Sequence, residues 1–138
     1  MSRLSARPIA VLGAGSWGTA LAMLLARNGH QVRLWDHDPG QIERLQQQRE
    51  NQRFLPGIPL PAGIAPEADL ARALADAQLL LVVVPSHAFD AVLQRVQPHL
   101  PGQIPLVWAT KGLQPGDARL LSEVAAERLP GHDLALIS

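Results

Sequence analysis

The residues best suited to chemistry lie near the start of the chain, where Gly13, Gly15 and Gly18 stand in the spacing G-x-G-x-x-G. Such a loop handles phosphate with backbone rather than side chains. Its first glycine allows a tight turn, its second lets the backbone approach a pyrophosphate, and its third lets helix and strand pack closely. Ser16 and Trp17 would add mainly their amide N–H groups, with the Ser16 hydroxyl as an extra donor. Asp36 follows Gly18 by eighteen positions, placed to accept hydrogen bonds from the hydroxyls of an adenosine ribose. That role would favour NAD and repel the extra phosphate of NADP; a solvated loop carboxylate is the alternative. His37 can stack on an adenine, pair with a 2′-phosphate, or simply be exposed. Asp38, before Pro39, fits a helix cap better than a ligand contact.

A second group of polar residues falls just after apolar runs: Ser86 with His87, Thr110 with Lys111, and Ser138. Lys111 sits between a predicted strand and Gly112, where it can steer an anionic substrate or polarise an oxygen during hydride transfer. A surface lysine fits the same spacing. Ser86 is expected to cap a helix, and His87 is either a general acid/base or a polar surface residue. There is no G-x-S-x-G elbow, H-E-x-x-H pair, Walker-type phosphate loop or paired-carboxylate motif. With no cysteine, disulfides, thiolate zinc sites and cysteine nucleophiles are excluded together, and no metal is expected.

The elements that must position these residues alternate. Ile9–Leu12, Val32–Trp35, Leu79–Val84, Leu106–Ala109 and Leu134–Ile137 read as buried strands, with a short strand around Ile64. Between them, helices are expected from Ser16 toward Gly29, after Asp38-Pro39 with Gln41 completing a capping box, over Leu70–Ala77, from Ser86, and around Leu121–Ala125. The prolines at 56, 59, 61 and 66 forbid a long regular element between Asn51 and Pro66. Strands that are continuously apolar, not alternating, require burial on both faces of a parallel sheet. The expected fold is α/β: a doubly wound, mostly parallel Rossmann-type sheet forming a single domain over residues 1–138. Its carboxyl edge would gather Ser16, Asp36, Ser86, His87, Lys111 and Ser138.

These motifs resemble the bacterial-type NAD(P)-dependent glycerol-3-phosphate dehydrogenases over nearly the whole chain. The resemblance is carried by Gly13-Ala-Gly-Ser-Trp-Gly-Thr-Ala-Leu21, Leu34-Trp35, Asn51 with Phe54-Leu-Pro-Gly57, and Leu60-Pro61. Val83-Val-Pro-Ser-His-Ala-Phe89 and Trp108-Ala-Thr-Lys-Gly-Leu113 extend it. It implies interconversion of sn-glycerol 3-phosphate and dihydroxyacetone phosphate with NAD or NADP, in the cytoplasm and in the service of glycerophospholipid synthesis. By that likeness Ser16 and Trp17 contact the pyrophosphate, His37 lies by the adenosine, Phe89 packs near the cofactor, and Lys111 touches both substrate and nicotinamide. The family often has a small residue where this chain has Asp36. The likeness also implies that the chain is the cofactor-binding half. A later helical domain would carry a lysine acid/base and an arginine–asparagine pair for the substrate phosphate, so this stretch alone should bind cofactor and turn over little. Family members commonly pair through that later domain, so the full-length protein is expected to be a homodimer. The alternatives are a related two-domain hydroxy-acid dehydrogenase and a non-catalytic nucleotide-sensing module.

Composition agrees with a compact domain that meets small molecules. The chain has 138 residues, 47% of them apolar, with 12 basic and 12 acidic side chains. Zero formal net charge argues against nucleic acid or an anionic membrane as partner. Met1–Arg7 has no apolar stretch behind it like that of a secretory signal, and Leu79–Val84 is too short to cross a bilayer. A soluble cytoplasmic protein is expected.

Overall fold

The structure, a computed structural model, describes residues 7–109 and 120–137. Six strands form one parallel sheet: β1 (Ile9–Leu12), β2 (Val32–Trp35), β5 (Ile64–Pro66), β6 (Leu79–Val82), β7 (Leu106–Trp108) and β8 (Leu134–Leu136). Their order across the sheet is β5-β2-β1-β6-β7-β8. The chain therefore winds outward from β1 through β2 to β5, returns to β6, and winds outward the other way. The reversal falls between β1 and β6, where Leu12 is in register with Val82. Open α/β sheets bind ligands at the carboxyl ends of the strands at such a switch point.

Among the described residues five α-helices cover the two faces: α1 (Ser16–Arg27), α2 (Pro39–Gln48), α3 (Leu70–Leu74), α4 (Ser86–Val96) and α5 (Leu121–Arg128). Alternate residues of each strand face opposite sides. Ala10 and Leu12 join Leu80, Val82, Leu106 and Trp108 in a core beneath α3, α4 and α5, including Phe89, Leu93 and Val124. Ile9 and Val11 point the other way, with Val32, Leu34 and Leu81, beneath Ala22 and Met23 of α1 and Ile42 and Leu45 of α2. Gly29 ends the first crossover with φ +92°, a left-handed conformation that a side chain would resist. No helix among the described residues is long and apolar enough to span a membrane.

Four local details differ from the sequence expectation. The proline-rich stretch holds a small antiparallel pair, β3 (Glu50–Asn51) with β4 (Leu55–Pro59). Helix α3 stops at Leu74, three residues short of Ala77, and is capped by Asp69, whose carboxylate accepts from Ala71 N. Ser86 is not a cap: the extended Pro85 occupies that position, and Ser86 is the first helical residue. Asp38 does cap α2, accepting from Gly40 N at 3.0 Å, but Gln41 completes no capping box. The Asp38 N–H that Gln41 would accept from is already bound to Asp36 Oδ2 at 3.1 Å, and Gln41 turns into the interior instead.

Candidate functional site

The glycine loop leaves β1 at the switch point, and its three glycines serve different ends. Gly13 has φ +118°, and a Cβ there would collide with the Val83 carbonyl at the end of β6. A Cβ on Gly18 would collide with the Gly13 carbonyl. Both glycines are thus required by the chain's own packing. Gly15 differs: its φ is −79°, and an added Cβ would meet nothing within 4 Å. Neither backbone strain nor internal packing explains a glycine there. The space it leaves open is the cleft itself.

Gly15 is also the N-cap of α1, and no side chain caps that helix. The N–H groups of the first turn and the positive end of the helix dipole therefore face the cleft, an arrangement suited to an anion. Exposed Ser16 and Trp17 flank this end, with Trp17 53% exposed.

The cleft has a volume of about 760 Å³. Along the order β2-β1-β6-β7 its lining runs from Asp36, His37 and Asp38 after β2, through Gly13, Gly15 and Gly18 after β1 and Val83 to Ala88 after β6, to Ala109 after β7; Ala91, Val92 and Arg95 of α4 and Arg53 and Phe54 complete it. A site of this length, with an amide-rich centre and mostly apolar side-chain walls, suits an elongated ligand with charge in its middle.

Of the residues singled out from sequence, Gly13, Gly15, Ser16, Trp17, Gly18, Asp36, His37 and His87 all line this one cleft. Asp36 is turned inward: Oδ1 accepts from Ala14 N at 2.8 Å and Oδ2 from Asp38 N, while His37 Nδ1 lies 3.5 Å from Oδ2. It braces the glycine loop, with acceptor capacity left over, since a carboxylate offers about four lone-pair sites. Phe89 does not line the cleft. It is fully buried against Trp108, with ring centroids 6.0 Å apart, so it backs the wall from within the core. Thr110, Lys111 and Ser138 lie outside the described residues. Among the described residues no cluster of three or more histidines, aspartates or glutamates could hold a metal ion.

Sequence reasoning missed Gln41 and Asn51, 2% and 1% exposed. Asn51 Nδ2 donates to Ala14 O at 3.0 Å and to Thr19 Oγ1 at 2.8 Å. Gln41 Nε2 donates to Ala14 O and to Asn51 Oδ1, each at 3.1 Å. The network ties the glycine loop, α1, α2 and β3 together. Arg53, Phe54 and Arg95 were also missed as lining residues; Asn51 and Phe54 were visible only as part of a likeness that assigned them no task.

The doubly wound sheet, with its glycine loop at the switch point and an elongated cleft beside it, defines a nucleotide-binding domain of Rossmann type. Its sequence is more specific than its fold. Residues 8–138 match the family described as NAD-dependent glycerol-3-phosphate dehydrogenase N-terminus, and the chain belongs to that family. It is 58% identical over 119 residues to the glycerol-3-phosphate dehydrogenase (NAD(P)+) of Serratia marcescens, covering 86% of this chain and 35% of that protein. The enzyme of the same name from Shewanella frigidimarina is 53% identical over 135 residues, 97% of this chain and 40% of the relative. The crystal structure of glycerol-3-phosphate dehydrogenase from Coxiella burnetii superposes with a TM-score of 0.92 at 44% identity, covering 96% of this chain and 41% of that one. The chain thus spans well under half the length of the relatives it matches.

Proposed function

We propose that this chain is the cofactor-binding half of a glycerol-3-phosphate dehydrogenase that interconverts sn-glycerol 3-phosphate and dihydroxyacetone phosphate with NAD or NADP. The observation that carries the reading is Gly15, whose missing side chain leaves the cleft open at the N-terminus of α1, where no side chain caps the helix. The pyrophosphate is held by the backbone of Gly13, Gly15, Ser16, Trp17 and Gly18, and the charge it brings is met by amide dipoles. Asp36 and His37 take the adenosine end, Asp36 through the lone pairs that Ala14 and Asp38 leave free. Phe89 supports the wall behind. When bound, the nicotinamide supplies the hydride acceptor or donor for substrate C2. Lys111, two positions beyond the cleft-lining Ala109, touches the substrate on the nicotinamide side and directs its positive charge at the substrate oxygen.

Proton transfer at that oxygen and the grip on the substrate phosphate belong to the part of the enzyme outside this stretch, as the length of the relatives supports. The complete enzyme is a cytoplasmic homodimer serving glycerophospholipid synthesis. Calorimetric titration with NADH and NADPH tests the assignment: saturable binding of at least one is expected, and binding of neither overturns it. Turnover of glycerol 3-phosphate by the 138-residue chain should be negligible, because a positioned acid/base is typically worth about 10² to 10⁴ in rate. Brisk turnover would place proton transfer within these residues instead.

A further inference from the structure

The part of the cleft lining that includes Arg53 and Phe54 is held by a buried amide. Besides its two donations toward the glycine loop and α1, Asn51 accepts from Phe54 N at 3.2 Å through Oδ1. The turn 51–54 is therefore fastened to the same carbonyl, Ala14 O, that fixes the phosphate loop. This turn presents Arg53 to the cleft that the 72%-exposed His37 also lines.

The charges at that end are unevenly committed. Asp36 directs its oxygens at backbone N–H groups of the loop and of Asp38. Asp38 uses Oδ1 to cap α2, and its Oδ2 is shared by two guanidinium groups, Arg44 at 3.7 Å and Arg53 at 3.9 Å. Both distances are long for a charge-assisted hydrogen bond, which runs at about 2.7–2.9 Å. Arg53 also lies over the Phe54 ring, 4.9 Å from its centroid. Its guanidinium is thus held at the rim by weak contacts, in a fork geometry that matches phosphate.

We propose that Arg53, presented by the Asn51-anchored turn, is a specificity-determining residue that pairs with the 2′-phosphate of NADP. It offsets the repulsion Asp36 would otherwise exert, so that the cleft accepts both dinucleotides. This rests on the dinucleotide reading above and goes beyond it by naming the group that sets cofactor choice.

The test is titration of the wild-type chain, Arg53→Ala and Arg53→Lys with NADH and NADPH at low and moderate salt. Loss of one charge-assisted phosphate contact should lower the NADPH-to-NADH affinity ratio about tenfold in Arg53→Ala. Arg53→Lys should recover part of it, and the added salt sensitivity of NADPH binding should shrink in the alanine variant. An unchanged ratio with NADH still bound overturns the role of Arg53 and leaves the dinucleotide reading standing. An equal loss of both affinities also overturns it, because the arginine would then be structural. Failure of the wild-type chain to bind either dinucleotide removes both readings.

Discussion

The two faces of the sheet are filled in different ways. Under α3, α4 and α5 the core is built from Phe89, Leu93, Val96, Trp108 and their apolar neighbours, and no fully buried polar side chain among the described residues joins them. Under α1 and α2 the apolar core is smaller, and buried Thr19, Gln41 and Asn51 lie on the same side. The ligand-facing loop hangs from that second side. Apolar burial is non-directional and supplies stability, whereas hydrogen bonds to one carbonyl set the position of a loop to within a few tenths of an ångström. The difference teaches that holding the fold and aiming the site are tasks given to opposite faces.

Variants can break or sharpen this division. The largest effect is expected on the apolar face, where Phe89→Ala should lower stability by about 3–5 kcal/mol, read from the urea midpoint. If the folded variant has lost dinucleotide affinity outright, the apolar face aims the site as well. On the polar face, Asn51→Ala should cost about 2–3 kcal/mol, since it strands buried groups that Asn51 now satisfies. Asn51→Leu is the sharper probe. It should regain part of that stability through burial but leave dinucleotide affinity low; full recovery of affinity would show that the network merely fills space. The smallest effect on stability is expected from Gly15→Ala, at zero to about 0.5–1 kcal/mol in the stabilising direction, because alanine narrows the unfolded ensemble and meets no neighbour. Its affinity for NADH should nevertheless fall sharply. Wild-type affinity in Gly15→Ala would remove the observation on which the site assignment stands.

Much of this is legible in the sequence. Strands β1 and β6 announce themselves as short apolar runs, and glycines in fixed spacing mark the loop, where Gly13 and Gly18 leave no room for a Cβ. The carboxyl-edge rule then places Ser16, Asp36 and His87 together although they are far apart in the chain. What stayed hidden were residues whose type misleads. Gln41 reads as part of a helix-capping box and Asn51 carries no task in the likeness, yet both are buried and donate to Ala14 O, Asn51 also to Thr19 Oγ1. Phe89 reads as a ligand contact by likeness, but its position on α4 points it at Trp108. Ser86 has the composition of a cap, but Pro85 before it already supplies the extended conformation. The short β3–β4 pair is obscured by prolines that signal irregularity without saying where the chain doubles back.

The strand order also sets a timetable. Strand β1 precedes the other strands of its sheet in the sequence and sits inside that sheet, with Ile9 in register with Val32 on one side and with Leu79 on the other. During synthesis its second neighbour emerges about seventy residues after it, a wait of roughly 4–14 seconds at about 5–20 residues per second. Val83, which seats the Gly13 turn, emerges later still. The glycine loop is therefore made well before the residue it packs against, and it cannot settle into its shape until that residue has emerged.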